Sequence, residues 1–453
     1  MNKFFVPVFA ALIVVVVAGG VWYTKHHNVP LFSIQSFGNE QLLSGKYDVK
    51  SVAEESFGNL DKVSIAPAAD SAKLSTGGAP VSGMGGSAGL NAAAPASAPS
   101  TSTKMIAPGE PYPGPIYYSF KYEGDKTLPG VEATQPVLKR SKPEQPASLV
   151  DRIVGMLSFG LINLNALKDV QLQNFSFVEN HQYGYAAYVD AQNGAVSMYQ
   201  NYEQWPQPDY TCKDTNCDML QLKIEDLPSD ADAIAAAETF IQQYAISKEG
   251  YGTPRVVSAW RIAYDQTPVA QRSSFYIPQQ VQVVYPLMLE GKEVYDESGN
   301  VYGMNIMIDA KTKRVTNLSE LITKQFESSS YKGETDVNRL LKIAGNGGFR
   351  NYNYVDSNAK KVELKLDTPT VQMVKIYYSA DNYRTNSDLY MPALIFPIKN
   401  WKETNYWRQT VIVPLVKSIL DSDTQNQNPI PLGAPATGGS GGGSAPGAAE
   451  PGV

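Results

Sequence analysis

Few residues of this sequence have the types and spacing that chemistry needs. The histidines are His26, His27 and His181, and the cysteines are Cys212 and Cys217. Two thiols do not complete a structural zinc site, which takes four nitrogen or sulfur ligands. Cys212 and Cys217 admit two readings, a local disulfide closing the turn around Thr211–Asp218 in an oxidising compartment or two reduced thiols in a loop. The pattern G-x-S-x-G occurs at Gly85–Gly89 and Gly438–Gly442. A nucleophile elbow needs a strand leading in and a helix leading out, and both matches sit in Gly/Ser-rich sequence. His181 is the lone histidine of the region expected to fold, so a Ser-His-Asp site is not expected.

Neither a P-loop, nor H-E-x-x-H, nor a complete EF-hand loop is present. Asp296-Glu297-Ser298-Gly299-Asn300 starts like a calcium loop but lacks the alternating ligands and the closing bidentate Glu. A hairpin turn is expected there. Glu238, Glu290, Glu293 and Glu297 are carboxylates that a fold could gather in pairs, as glycoside hydrolysis requires. Nothing in their spacing singles them out, and Glu238 reads as a solvated or capping charge on a helix. Tyr199, Tyr202, Trp205 and Tyr210, with Trp401, Tyr406 and Trp407, can stack on a ligand or partner, or pack across strands. The sequence therefore assigns no catalytic, cofactor-binding or metal residue, and the chain is read as a non-enzyme with no cofactor.

The elements that carry these residues show an internal match. Tyr183-Gly184, Val189-Asp190-Ala191 and Val196 recur in register as Tyr302-Gly303, Ile308-Asp309-Ala310 and Val315. Both read Y-G-x4-[VI]-D-A-x4-V, which predicts a strand, a tight turn begun by Asp190 or Asp309, and a returning strand. Gly194 supplies a residue that tolerates positive φ in the first copy, and Lys313 stands in its place in the second. An earlier strand precedes each copy, Phe175–Glu179 and Gln280–Leu289, and a helix precedes each strand. Duplication accounts for that shared order, and the repeated aspartates are turn residues.

The helix ADAIAAAETFIQQYAI followed by strands and the hairpins YGMNIMIDAKTKRVTNL and YAAYVDAQNGAVSMYQN resembles PepSY-type domains. Such domains end in a strand, Asp-Ala, a short turn with Gly and a strand starting with Val. Similar helix-plus-sheet repeats occur in membrane-anchored extracytoplasmic regulators of sensor kinases. The resemblance implies a non-enzymatic binding or inhibitory role.

Phe4–Tyr23 contains no charge, and at about 1.5 Å per residue a helix there spans about 30 Å, the thickness of a bilayer core. Trp22, Tyr23 and Lys25 follow as interfacial anchors, and Lys3 precedes. An uncleaved anchor is expected; a cleavable signal peptide and a buried helix are the competing readings. Residues 67–115 and the end of the chain are rich in Ala, Ser, Gly and Pro, which bury too little apolar surface to offset the entropy of ordering. The 453-residue chain has a formal net charge of -6, which leaves no basic footprint for nucleic acid.

The expected fold class is α+β: an N-terminal transmembrane helix, a disordered linker, then duplicated helix-plus-antiparallel-sheet units. The expected divisions are 1–25 (anchor), 26–66 (membrane-proximal, with room for a short helix within 31–66), 67–115 (linker), 116–225 and 226–325 (two α+β units), 326–422 (β-rich unit) and 423–453 (tail). Helices are expected at Ala147–Leu161, after Pro228 with Ser229 or Asp230 as cap, and near Asp336–Ala344. Strands are expected at Val301–Ile308, Val371–Tyr378, Leu389–Ile398 and Thr410–Val416, with Pro286, Pro392, Pro397 and Pro414 marking edges, bulges or strand ends. The function expected is a membrane-tethered extracytoplasmic binding or regulatory module at the cell membrane. Its partners would be the lipid bilayer, through the N-terminal helix, and an envelope protein. A structural or assembly component of the envelope, and a carboxylate-based hydrolase of cell-wall polymers, are the alternatives.

Overall fold

Segments in which β-branched and aromatic residues alternate with polar ones form most of the ordered structure, which is mixed α+β and mostly sheet. The computed structural model describes residues 43, 45–60, 116–125, 127–145, 147, 149–151, 166–206, 222–351, 360–379, 386–404, 406 and 408–426. The expected anchor, the linker, most of the tail, Cys212 and Cys217 lie outside them. Among the described residues no helix is long and apolar enough to cross a membrane.

The chain divides into two units, residues 1–44 with 143–173 and residues 45–142 with 174–453. In the first, Ala147 and Leu149–Asp151 are helical, and the rest of the expected Ala147–Leu161 helix lies outside the described residues. The Gln145 side-chain amide brackets the backbone of Leu172, donating to its carbonyl at 2.8 Å and accepting from its N–H at 2.9 Å.

The second unit holds the sheets. In chain order its strands are β1 (Asp48–Ser51), β2 (Ile116–Tyr122), β3 (Thr134–Arg140), β4 (Asn174–Val178), β5 (Tyr185–Asp190) and β6 (Ala195–Gln200). Next come β7 (Arg255–Val257), β8 (Gln280–Pro286), β9 (Met288–Leu289), β10 (Lys292–Tyr295), β11 (Gly303–Asp309) and β12 (Val315–Ile322). The last are β13 (Gln325–Lys332), β14 (Lys360–Leu366), β15 (Thr370–Ser379), β16 (Asn386–Pro397) and β17 (Thr410–Pro414). The helices are α1 (Asp230–Gln243), α2 (Ala259–Gln266), α3 (Val337–Gly345), α4 (Trp401–Thr404) and α5 (Lys417–Asn426).

One sheet has the order β4-β5-β6-β12-β11-β8-β7. Strands from both expected α+β units thus lie side by side. From the outside inward, β4-β5-β6 mirrors β8-β11-β12, and β6 and β12 pair antiparallel where the halves meet. A second sheet runs β1-β13-β3-β16-β15-β10-β9, with β17 added on β16, and β14 pairs with β2. The chain crosses between the two large sheets four times, from β3 to β4, from β8 through Leu287 into β9, from β10 to β11 and from β12 through Thr323-Lys324 into β13. Leu138, Leu287, Leu289, Tyr302, Ile322, Phe326, Met373 and Tyr390 form the apolar core at that passage.

α1 forms where Ala, Ile and Phe recur at helical spacing, and the Ser229 hydroxyl caps it by accepting from the Asp232 N–H. Ala233, Ala237, Phe240 and Ile241 are its buried stripe against Val281, Val283, Met304 and Ile306. Burial of Phe240 and Ile241 contributes about 1.5–3 kcal/mol each before entropy. α3 is capped by Asp336, which accepts from Asn338 and Arg339. It ends before Gly347 and Gly348, at φ +93° and +90°.

Within the membrane-proximal segment Asp48–Ser51 form the strand β1, paired parallel with β13 from Asp48↔Gln325 to Ser51↔Ser328, and Leu60 beyond it is fully buried. Residues 31–42, part of the stretch where a short helix is expected, lie outside the described residues. Two expectations change. The chain stays ordered through α5 to Asn426, past the expected start of the tail. Pro392 lies inside β16, a central strand. The Pro392 carbonyl accepts from the Leu415 N–H, and in a strand the N–H and C=O of one residue share an edge. On that edge β16 pairs with β3 at Leu389 and Tyr390 and with β17 from Ala393 onward, so Pro392 falls where the partner changes. The missing N–H therefore costs no ladder bond. Pro286, Pro397 and Pro414 end β8, β16 and β17.

Candidate functional site

The two matched aspartates do the same local work. Asp190 accepts from the Asn193 N–H at 2.9 Å and from its side-chain amide at 2.8 Å, and Asp309 accepts from the Thr312 N–H at 2.7 Å. Gly194 has φ +64° and Lys313 φ +55°, so both turns use a left-handed residue at the same place. The matched Gly184 and Gly303 allow close approach of the neighbouring strand. A Cβ there would lie 2.7 Å from the Glu179 carbonyl oxygen or 2.0 Å from that of Tyr285.

The matched tyrosines each carry a cation on one ring face. The Arg314 guanidinium lies 4.0 Å from the Tyr183 ring centre, and the Lys375 ammonium 4.2 Å from that of Tyr302. Tyr183 is half-buried at φ +61° and meets Trp205 edge-on, with Tyr185, Phe240 and Tyr244 continuing the aromatic cluster. Beneath it Glu179 accepts from the Tyr185 N–H and the Tyr244 hydroxyl, both at 2.9 Å. His181 is an exposed turn residue, with Nε2 3.5 Å from the same carboxylate. Burial, then the bond to Glu179, pushes the Tyr244 hydroxyl well above its ordinary pKa.

Tyr302 sits instead, buried, in a half-buried polar cluster at the passage between the sheets. Its hydroxyl donates to Glu320 at 2.5 Å. Glu320 occupies an irregularity in the β6–β12 pairing, at φ +59°. Such bulges re-aim a side chain that regular alternation would send elsewhere. Asp388 is 3.7 Å from Arg140 and 3.4 Å from Lys375. Arg140 also donates to the Asn193 carbonyl at 2.6 Å, which ties the first Asp turn to the cluster. Burial pushes both Tyr302 and Tyr390 far up, so neither hydroxyl ionises in the folded protein at ordinary pH. Beside them Lys324 is buried, donates to the Glu249 carbonyl and lies 4.4 Å from the Tyr251 ring centre. Desolvation lowers its ammonium to about 8.

The seven-stranded sheet buries one face under α1. Its other face bears Ser176, Tyr188, Ser197, Tyr199, Asn317, Asn305 and Gln282, which register places in neighbouring rows. All are exposed or half-buried. Tyr188 and Tyr199 meet edge-on at 5.8 Å, and Gln282 donates to Asn305 at 2.9 Å. These residues can both hydrogen-bond and stack, and Asp190, Arg255 and Asp309 place charges on the same face.

The carboxylates considered for hydrolysis are held separately. Glu238 binds Lys248 at 2.7 Å and Tyr285 at 3.0 Å, and the Lys248 bond lowers its carboxyl below the usual range. Glu293 pairs with Arg255 and Glu297 with Arg350, each at 2.6 Å. Glu290 occupies the β9–β10 turn at φ +51°. Asp296 spends its carboxylate on the N–H groups of Ser298 and Asn300, as a turn does. Among the described residues no group of three or more His, Cys, Asp or Glu is placed to hold a metal. Trp205 and Tyr406 are buried, whereas Tyr202 is 66% exposed.

Sequence reasoning missed the Arg140–Asp388–Lys375–Tyr302–Glu320 cluster, whose members come from five strands or their links. It also missed the polar face, although alternation in β5, β6 and β11 marks it. Comparison with models of known families finds no match, and neither does comparison with curated proteins.

Proposed function

We propose that this chain is a membrane-tethered extracytoplasmic binding or regulatory module that acts by protein–protein contact. The observation that carries the reading is the polar face of the seven-stranded sheet, where Tyr188, Tyr199, Asn305 and Gln282 stand opposite the face that α1 covers. A flat field of amides, hydroxyls and aromatic rings suits a protein surface: Tyr gives contact area at low entropic cost, and amides match backbone groups. Phe4–Tyr23 supplies the anchor in this reading, and the 67–115 segment supplies the tether. The mirrored order of β4-β5-β6 and β8-β11-β12 supports descent from a duplicated PepSY-like unit, with the Asp turns as scaffold.

The test is affinity capture by the full-length chain from envelope extracts, beside a Tyr188→Asp/Tyr199→Asp variant. One stoichiometric protein held by the native chain and lost from the folded variant supports the reading. Retention on wall glycan alone, with no protein recovered, overturns it.

A further inference from the structure

Sheets leave edges, and edges are sites of pairing unless something guards them. The outermost strands of the two large sheets differ in this respect. β1 carries Asp48 and Lys50, β7 begins with Arg255 directly after Pro254, and β9 has two residues. β4, with the sequence NFSFV, has neither charge nor proline. Among the described residues no strand pairs with its outer edge. Its side chains are bare as well: Phe177 is 55% and Val178 61% exposed.

The strand is also self-complementary. Ser176 is flanked by Phe175 and Phe177, which share a face and meet edge-on at 5.4 Å. Two copies run antiparallel with Ser176 opposite Ser176 would set Phe175 of each opposite Phe177 of the other. Aromatic cross-strand pairs of this kind stabilise a sheet. Ser176 would lie on the two-fold axis, on the same face as Tyr188. The contact is isologous and closes on itself, the commonest symmetry of soluble oligomers.

We propose that a second copy of this chain docks on β4, joining the two seven-stranded sheets edge to edge through antiparallel β4–β4 pairing centred on Ser176. The strand is short, so the contact is weak in dilute solution and favoured wherever chains are concentrated. The inference stands apart from the protein-binding reading of the polar face, and its test needs no partner.

Directly opposed residues of antiparallel strands have Cα atoms about 4.5–5.5 Å apart, within reach of a disulfide. Full-length Ser176→Cys protein under mild oxidation is therefore expected to give a dimer whose peptide map contains a 176–176 bond. Val178→Cys alone is expected to stay monomeric, because residue 178 opposes residue 174. Mixing the Val178→Cys chain with an Asn174→Cys chain restores the link. Adding Phe177→Lys to Ser176→Cys places a charge on the exposed edge and is expected to cut cross-linking at least tenfold with the thermal midpoint unchanged. A Ser176→Cys chain that stays monomeric at high concentration, or a Val178→Cys chain that links to itself as readily, overturns the proposal.

Discussion

The hairpins Tyr183–Val196 and Tyr302–Val315 share a sequence pattern and a turn geometry but sit in unlike surroundings. The first opens at a partly exposed aromatic cluster, where Tyr183 receives Arg314 from the other hairpin. The second opens at the buried passage between the sheets, where Tyr302 receives Lys375 and donates to Glu320. The lesson is that the pattern encodes the local device, a Tyr-Gly entry and an Asp turn, while the neighbours decide what a fault in it costs.

Gly303→Ala tests that difference most severely. Its Cβ would lie 2.0 Å from the Tyr285 oxygen and 2.6 Å from the Leu287 nitrogen, all backbone. A loss of more than about 3 kcal/mol is expected, beyond ordinary overpacking. Gly184→Ala, at 2.7 Å from the Glu179 oxygen, is expected to cost about 1–3 kcal/mol. Equal midpoints for the two variants in urea would remove the asymmetry.

The buried side also carries a pH dependence. Lys324, in the link between β12 and β13, is lowered to about 8, and an unfolded chain keeps the ordinary lysine value of 10.5. Between those values the unfolded state binds the extra proton, so stability rises with pH from about 8 toward 10. Below 8 both states are protonated and the desolvation penalty is constant. The rise should be about 2 kcal/mol, by linkage, and Lys324→Met should flatten it. Denaturation curves across that window decide, and a flat native profile would contradict the burial argument.

Asp190→Ala and Asp309→Ala should each cost about 1 kcal/mol, the net worth of a turn hydrogen bond. Asp190 should cost slightly more, since it holds both the backbone and the side chain of Asn193. Unchanged stability with lost partner capture for Asp309→Ala would show that it is more than a turn residue. The smallest effect belongs to Lys313→Gly, which should stabilise by about 0.5–1 kcal/mol by relieving a non-glycine residue at φ +55°. A thermal melt that falls instead would place an unseen contact on the Lys313 side chain.

Local features were legible in the sequence because they are local. Ser229 and Asp336 stand where helix caps belong, and both Asp turns follow from aspartate bonding its own backbone. The strands around Gln280, Val301 and Val371 announce themselves by alternation. Long-range features were not legible. Arg140, Lys375 and Asp388 meet only because β3 and β15 flank β16, an order that no short spacing carries. The positive φ of Glu320 leaves no mark in the residue itself. β1 is four residues, DVKS, with Val49 its one apolar residue, and no alternation marks it as a strand before it pairs with β13.

β1 also sets a clock on synthesis. Asp48 must wait for Gln325 before it has a partner. At about 5–20 residues per second, the intervening chain takes roughly 15–60 s to be made. Throughout that interval the beginning of the domain stays unpaired, so completion of this sheet is a late and nearly all-or-nothing event. A chain truncated before β13 loses its first strand as well as its last ones.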